Sequence, residues 1–410
     1  MIPINIVFLL SYFYICLMFG RSTLITAATI PPKRISKEKS HVFFPNLDGL
    51  RFFCFLPVFF FHSFVSNYSN ITSSRVYIFI KSVLFANGNL GVNFFFVLSG
   101  FLITFLLLKE KEVTGKIHIT NFYIRRFLRI WPLYYLCVFI GFIIFPMFGS
   151  TLGQLPGLNA RPLYYIFFIN NFDLIRHLNN NPQLFILWSI AVEEQFYLVW
   201  PVLFAFTPSK YYKYLFISVI LFSFVYRCFN YNQLFTLSLS TFSCISDMAV
   251  GGMAAYLISS SNWLSSKIKK LSRFYIVLIY VVAALIYLFD RYTLRSSLYA
   301  PFERLVVSVV FALIILEQCF SDNSFYKMGK YKLISKLGKY TYGLYCLHII
   351  GIYFTRAVLR KFDFDSQLWQ VLIVEGGLSL ILSIGLAYIS YTLFESNFLK
   401  LKERFSFIVR

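Results

Sequence analysis

Along the chain, long apolar runs alternate with short polar segments rich in Lys and Arg. After residue 48, ten runs meet or approach the about 20 helical residues that a hydrocarbon core about 30 Å thick requires. They lie near 50–66, 91–108, 130–147, 190–207, 214–229, 241–258, 274–289, 303–318, 340–356 and 369–394. Two shorter apolar pieces, 163–172 and 75–86, read as half-helices or interfacial segments. The pattern predicts an all-α fold: a polytopic transmembrane helix bundle of about ten spans. Residues 46–400 form the expected transmembrane domain and 401–410 a cytoplasmic tail, with 1–45 as an N-terminal extension. Within that extension, NIVFLLSYFYICLMFG is apolar but short for a full span, and no basic residue precedes it. It makes a poor signal peptide. It reads as an extra N-terminal helix, or as translation from a start codon placed too early, with Met18 as the true start.

Composition agrees. Of the 410 residues 58% are hydrophobic and only 13% charged, about half the charged fraction of soluble domains. A soluble fold of this composition would have to expose large apolar patches, which soluble proteins avoid. The formal charge of +21 does not point to nucleic acid, because the basic residues cluster between the apolar runs. That arrangement orients a membrane protein and leaves positive surface for anionic lipid or a phosphorylated cofactor. With residue 50 inside, 27 of the 38 Lys and Arg fall in the inner segments 21–51, 109–129, 208–214, 258–273, 319–340 and 395–410. Both ends of the ten-helix unit are therefore expected in the cytoplasm. The seven Cys show no CxxC pair. They read as small apolar residues rather than disulfide partners or metal ligands.

Ionisable residues within apolar runs are costly and are candidates for function. In NLDGLRFFCFLPVFFFHSFVSN, His62 follows Arg51 by 11 residues, almost three whole turns and about 16 Å of helix. The two share a face with Asp48, so a charged inner mouth leads to an imidazole that can take or give a proton near neutral pH. The competing reading is a buried His bonded to nearby backbone. In FYIRRFLRIWPLYY, Arg126 and Arg129 are three apart and share a face, while Arg125 points elsewhere. Paired guanidinium groups suit phosphate, although interfacial Arg also binds lipid headgroups. In LWSIAVEEQFYLVWP, Glu193 and Glu194 open the fourth run on the outer side, with Ser189 four residues before Glu193. Glu193 is a candidate to orient His62. Otherwise both glutamates are solvated there, with Trp188 and Trp200 as belt anchors. Asp247, Glu303, Glu317, His348, Glu375 and Glu395 also lie in or beside runs, and Glu395 is expected to pair with a nearby Lys. The GGM at Gly251 reads as close helix packing. No GxSxG elbow, P-loop or HExxH motif occurs.

Taken together and in order, these motifs resemble the acyltransferase-3 family of bacterial membrane O-acyltransferases over roughly residues 46–400. LDGLR followed by His62 resembles the family's first-helix signature, and GVNFFFVLSGFLIT its second helix. RRFLRIWPLY is similar to its Arg-x-x-Arg segment, with Arg126 and Arg129 in the two positions. LWSIAVEEQFYLVWP is similar to its Trp-Ser-Leu-x-x-Glu segment, with Glu193 on the first Glu. LGKYTYGLYCLH and YISYTLFESNF resemble its two C-terminal signatures. Phe52 and Phe53 stand where small residues are usual, Asn93 replaces a common acidic residue, and Ser396 and Asn397 replace a usual Arg and Pro.

The resemblance implies transfer of an acyl group, usually acetyl, from acyl-coenzyme A to a hydroxyl of a surface glycan, a lipid-linked sugar or a small metabolite, in the bacterial inner membrane and with no metal. Its implied catalytic set is His62, Glu193 and Arg51. Arg126, Arg129 and Arg125 are the implied donor-binding set, with Asp48, Glu194, Tyr197 and His348 in support. The chain stops soon after the last run, so an appended soluble transferase domain is not expected. Two rival classes remain at the level of sequence. One is a transporter or flippase, disfavoured because residues 50–229 and 241–394 show no self-similarity. The other is a catalytically inactive sensor or assembly partner.

Overall fold

The computed structural model describes residues 44–148, 159–177, 181–293 and 299–406. The expected N-terminal extension up to residue 43, and residues 407–410 of the expected tail, lie outside them. Among the described residues there is no strand. The principal helices are α1 (Pro45–Ser63), α2 (Gly88–Thr114), α3 (Ile119–Phe139), α4 (Trp188–Phe206), α5 (Tyr212–Phe229), α6 (Thr241–Ser260), α7 (Arg273–Thr293), α8 (Ala300–Phe320), α9 (Lys332–Lys339), α10 (Thr341–Lys361) and α11 (Gly376–Ser390). Each of the ten apolar runs has its own helix. The two shorter pieces also fold as broken helix, Pro162–Ile166 with Asn170–Arg176, and Arg75–Phe79 running into a π-helical turn, Ile80–Leu84.

By length and hydropathy together, seven described spans are able to cross a membrane. An eighth is the pair Asn262–Lys269 and Arg273–Phe289, if its 87° bend is a break within one crossing. This is fewer than the expected ten, for a physical reason. Helices α1 and α8 have 19 and 21 residues, about 28–32 Å of rise. They contain Asp48 and Arg51, and Glu303, Arg304 and Glu317, which lower their hydropathy. Those charges are largely withdrawn from the surroundings: Asp48 pairs with Arg51, Arg304 pairs with Asp247 at 2.6 Å, and Glu317 is buried.

The centre of the bundle is the crossing of α2 and α6. A Cβ on Gly100 would stand 1.9 Å from the Met248 carbonyl oxygen, and one on Gly251 would stand 1.9 Å from that of Val97. Only glycine permits this approach, in keeping with small residues at helix interfaces within membranes. The expectation that Gly251 serves packing is met. Around this crossing, Phe94, Phe96, Phe101, Phe196, Trp200 and Phe204 are fully buried. Trp188 and Trp200 are also buried, and Trp200 donates through Nε1 to Thr104 Oγ1 at 3.0 Å. They are core residues and not belt anchors. The six described cysteines are free thiols.

Candidate active site

A cavity of about 230 Å³ opens between α1, α2, α3, α4, α9 and α10. Its lining is strongly basic: Arg51 of α1, Arg125, Arg126 and Arg129 of α3, Lys339 at the end of α9 and Lys402 near the C-terminus. Ser99, Ser189, Glu193, Tyr197 and Tyr345 also line it, with Phe95, Phe96 and Leu98. Helix α9 reaches the mouth because Gly338 abuts the first turn of α1, where a Cβ would stand 1.9 Å from the Asp48 carbonyl oxygen.

The basic side chains differ in what holds them. Arg51 is paired with Asp48 on its own helix. Arg125 donates through Nη2 to Glu110 Oε2 at 2.8 Å and through Nη1 to the Phe405 carbonyl at 2.8 Å. The buried Glu110 also accepts from the His118 backbone amide at 2.9 Å. Arg125 therefore ties α3 to α2 and to the C-terminal segment, and its charge is already compensated. The donor-binding role expected for it shrinks accordingly. Arg126 lies over the rings of Tyr197 and Phe122, with its Cζ 5.1 and 5.6 Å from their centroids. Neither Arg126 nor Arg129 has an ion pair or hydrogen bond among the described residues. Two half-buried guanidinium groups thus face a cavity with their donors free, an arrangement that suits a bound anion.

Glu193 belongs to the same cavity. Its Oε1 accepts from Ser99 Oγ at 3.0 Å and its Oε2 from the Tyr197 hydroxyl at 2.6 Å. Its neighbour Glu194 accepts from Trp131 Nε1 at 2.8 Å and buries its second oxygen without a hydrogen-bond partner among the described residues. Two expectations are corrected here. The glutamates are not solvated at an outer interface, because the span begins at Pro182 and runs to Phe206, placing both near its middle. And the carboxylate of Glu193 is held by Ser99 and Tyr197, whereas the side chain standing beside His62 is another histidine. Glu395 is held by Ser390 Oγ at 2.9 Å, in place of the expected Lys.

His62 is half-buried near the end of α1 and does not line the cavity. Its ring centroid is 5.4 Å from that of His348 on α10. His348 is fully buried, 6.0 Å by ring centroid from Tyr345, and the Tyr345 hydroxyl lies 2.5 Å from Ser189 Oγ. Ser189 and Tyr345 at the cavity are thus followed by His348 and then His62, the last two in ring proximity without a hydrogen bond between them. Phe53, one of the unusual aromatic residues of α1, points outward, and Phe52 packs in the core.

The sequence reading missed Ser99, Tyr345, Lys339 and Lys402. Ser99 and Tyr345 sat in quoted motifs as polar atoms within apolar helices. The two lysines carried only an inner-loop charge signal, and no spacing could bring residues 339 and 402 to residue 126.

The structure is thus an all-helical membrane bundle with an arginine-rich cavity and a pair of histidines, His348 buried and His62 half-buried. The family described as acyltransferase domain matches residues 44–392, and the chain belongs to that family. The O-acetyltransferase OatA of Staphylococcus aureus is 32% identical over 186 residues, covering 44% of this chain and 28% of that protein. The peptidoglycan O-acetyltransferase OatA of Listeria monocytogenes is 31% identical over 169 residues, covering 40% and 24%. The match thus spans about a quarter of the length of these curated relatives. No solved structure matches the chain significantly.

Proposed function

We propose that this protein is a membrane O-acyltransferase that moves an acyl group, acetyl by analogy with the names of its relatives, from acyl-coenzyme A to a hydroxyl of a cell-surface glycan. The observation that carries the reading is the pair Arg126 and Arg129, which have no ion pair or hydrogen bond among the described residues, in a cavity whose basic side chains come from four separate segments. All four segments, around residues 51, 125–129, 339 and 402, are those that the charge distribution assigns to the cytoplasm. This supports a donor entering from inside a bacterial inner membrane, with both ends of the bundle cytoplasmic. It also supports treating residues 46–400 as one transferase domain.

In this reading Arg126 and Arg129 would hold the donor's phosphates, with Arg51, Lys339 and Lys402 adding positive field at the mouth. The donor supplies an activated acyl carbon. Glu193 holds Tyr197 beneath Arg126 and borders the space between the arginines and Ser189. His62 takes the proton from the acceptor hydroxyl and returns it to the departing thiolate, so the ester forms as the thioester is broken and no other co-reactant is needed. The surrounding apolar walls exclude water, which would otherwise hydrolyse the thioester.

Purified protein in lipid vesicles, given radiolabelled acetyl-coenzyme A and a peptidoglycan fragment or glycan extract, should place base-labile label on the glycan. Movement of unlabelled glycan across the vesicle without ester formation would favour a transporter and overturn the proposal.

A further inference from the structure

Helix α10 approaches the end of α1 at two points. The first is His348. A carbonyl oxygen can only accept, so the 2.8 Å contact between His348 Nδ1 and the Tyr345 carbonyl places the proton on Nδ1. His348 Nε2 is then a fixed acceptor. It is buried and has no hydrogen-bond partner among the described residues. Leaving such a group unsatisfied is costly. The ring is walled by Phe55 at 5.5 Å, Phe59 at 6.5 Å and Tyr345 at 6.0 Å, and His62 at 5.4 Å is the neighbour able to donate. The second point is Arg356, about two turns further along α10. It donates through Nη2 to the carbonyl of Ser63, the residue after His62, at 3.0 Å. Arg356 is itself fixed by Glu375, Nε to Oε1 at 2.8 Å, and both are buried. The Ser63 carbonyl lies where α1 ends and accepts from the Val65 amide at 3.1 Å as well as from Arg356.

Resting on the function proposed above, we infer that His348 is the positioning residue for His62: its fixed Nε2 acceptor orients the imidazole through the N–H that does not face the acceptor, and the Arg356–Glu375 pair locks the end of α1 in that register. This is the task the sequence alone had given to Glu193. When His62 takes the hydroxyl proton at one nitrogen, its other N–H is held by His348 Nε2, so the ring neither flips nor changes tautomer during turnover. His348 does not touch the reacting atoms.

The test compares His348→Gln, whose side-chain carbonyl can stand near the position of Nε2, with His348→Asn, whose amide stands near Nδ1, and with His348→Ala. Acetyl-transfer kcat, donor KM and thermal melting in detergent are measured for each. We expect His348→Ala to lower kcat by roughly tenfold or more, the scale of losing a partner that orients a functional histidine, with donor KM unchanged. Gln should recover most of kcat and Asn little of it, at similar melting temperatures. Equal kcat for Gln and Asn, or His348→Ala within twofold of wild type, overturns the inference, and the Gln–Asn comparison decides if the Ala variant does not fold. His62→Ala in the same assay separates the two levels. If His62→Ala is inactive while His348→Ala is fully active, only the positioning role fails. If His62→Ala is itself fully active, the catalytic reading of His62 has failed first.

Discussion

Two groups of arginines sit inside this protein under opposite conditions. Between α5, α6 and α8, Arg227 donates to the Pro301 carbonyl, the Ser243 carbonyl, Ser223 Oγ and Ser246 Oγ at 2.8–2.9 Å. Nearby Arg304 is paired with Asp247 and donates to the Ser238 carbonyl at 3.0 Å. Ser308 Oγ completes Asp247 at 2.9 Å. The fold itself supplies acceptors for most of these donors, with Arg227 Nη2 buried and without one among the described residues. At the basic cavity, Arg126 lies over the rings of Tyr197 and Phe122, and neither it nor Arg129 has a hydrogen bond or ion pair among the described residues. Burying a charge without a partner is unfavourable. The fold pairs Arg304 with a carboxylate of its own, whereas Arg126 and Arg129 have no ion pair among the described residues, in keeping with the anion-binding role proposed for them.

The contrast can be broken experimentally, beginning where the effect should be largest. His62→Ala should reduce acyl transfer by about 10²–10⁴, the usual contribution of a general base, while the protein inserts and melts as wild type. Normal transfer at matched expression would remove His62 from the chemistry. Asp247→Ala strips the internal network of its carboxylate and leaves two buried guanidinium groups facing each other. It should cost about 3–5 kcal/mol of stability, read as a lower melting temperature and poor recovery of folded protein. An unchanged melting temperature would show that the two arginine groups are not differently held.

Replacing both Arg126 and Arg129 by Ala should do the reverse: little change in melting, but donor KM raised by roughly tenfold to a hundredfold. That corresponds to charge-assisted hydrogen bonds worth about 1.5–3 kcal/mol, and the KM effect should weaken at high ionic strength. A donor KM equal to wild type would mean the pair meets only lipid headgroups. Gly100→Val, at the α2–α6 crossing, should destabilise by about 1–3 kcal/mol or more through overpacking without altering donor KM in the fraction that folds. Smallest of all, Lys109→Ala breaks the exposed pair with Glu112 and should change stability by less than about 1 kcal/mol, which sets the baseline for the rest.

What the sequence determined by itself is the set of helices and their class. Runs of about 20 apolar residues must be helices to satisfy their backbone in lipid, so each of the ten had to appear. Local chemistry was also legible: Asp48 with Arg51 three residues on, and Gly251 as a packing site, are relations along one helix or properties of one residue. The motif order led to the family on the same basis, since motifs are contiguous. Tertiary structure alone decided which charges are matched and which are open. Arg125 and Arg126 are adjacent in sequence, yet one meets Glu110 and the Phe405 carbonyl while the other faces a cavity. The apolar run that starts at residue 190 puts Glu193 at an interface. The helix preceding it, from Pro182, pushes it to mid-span. His348 lies 286 positions from His62, and no periodicity links them. A side chain's solvation and partners depend on the distances between helices, which are set by packing across the whole bundle and leave no trace in the local pattern of residues.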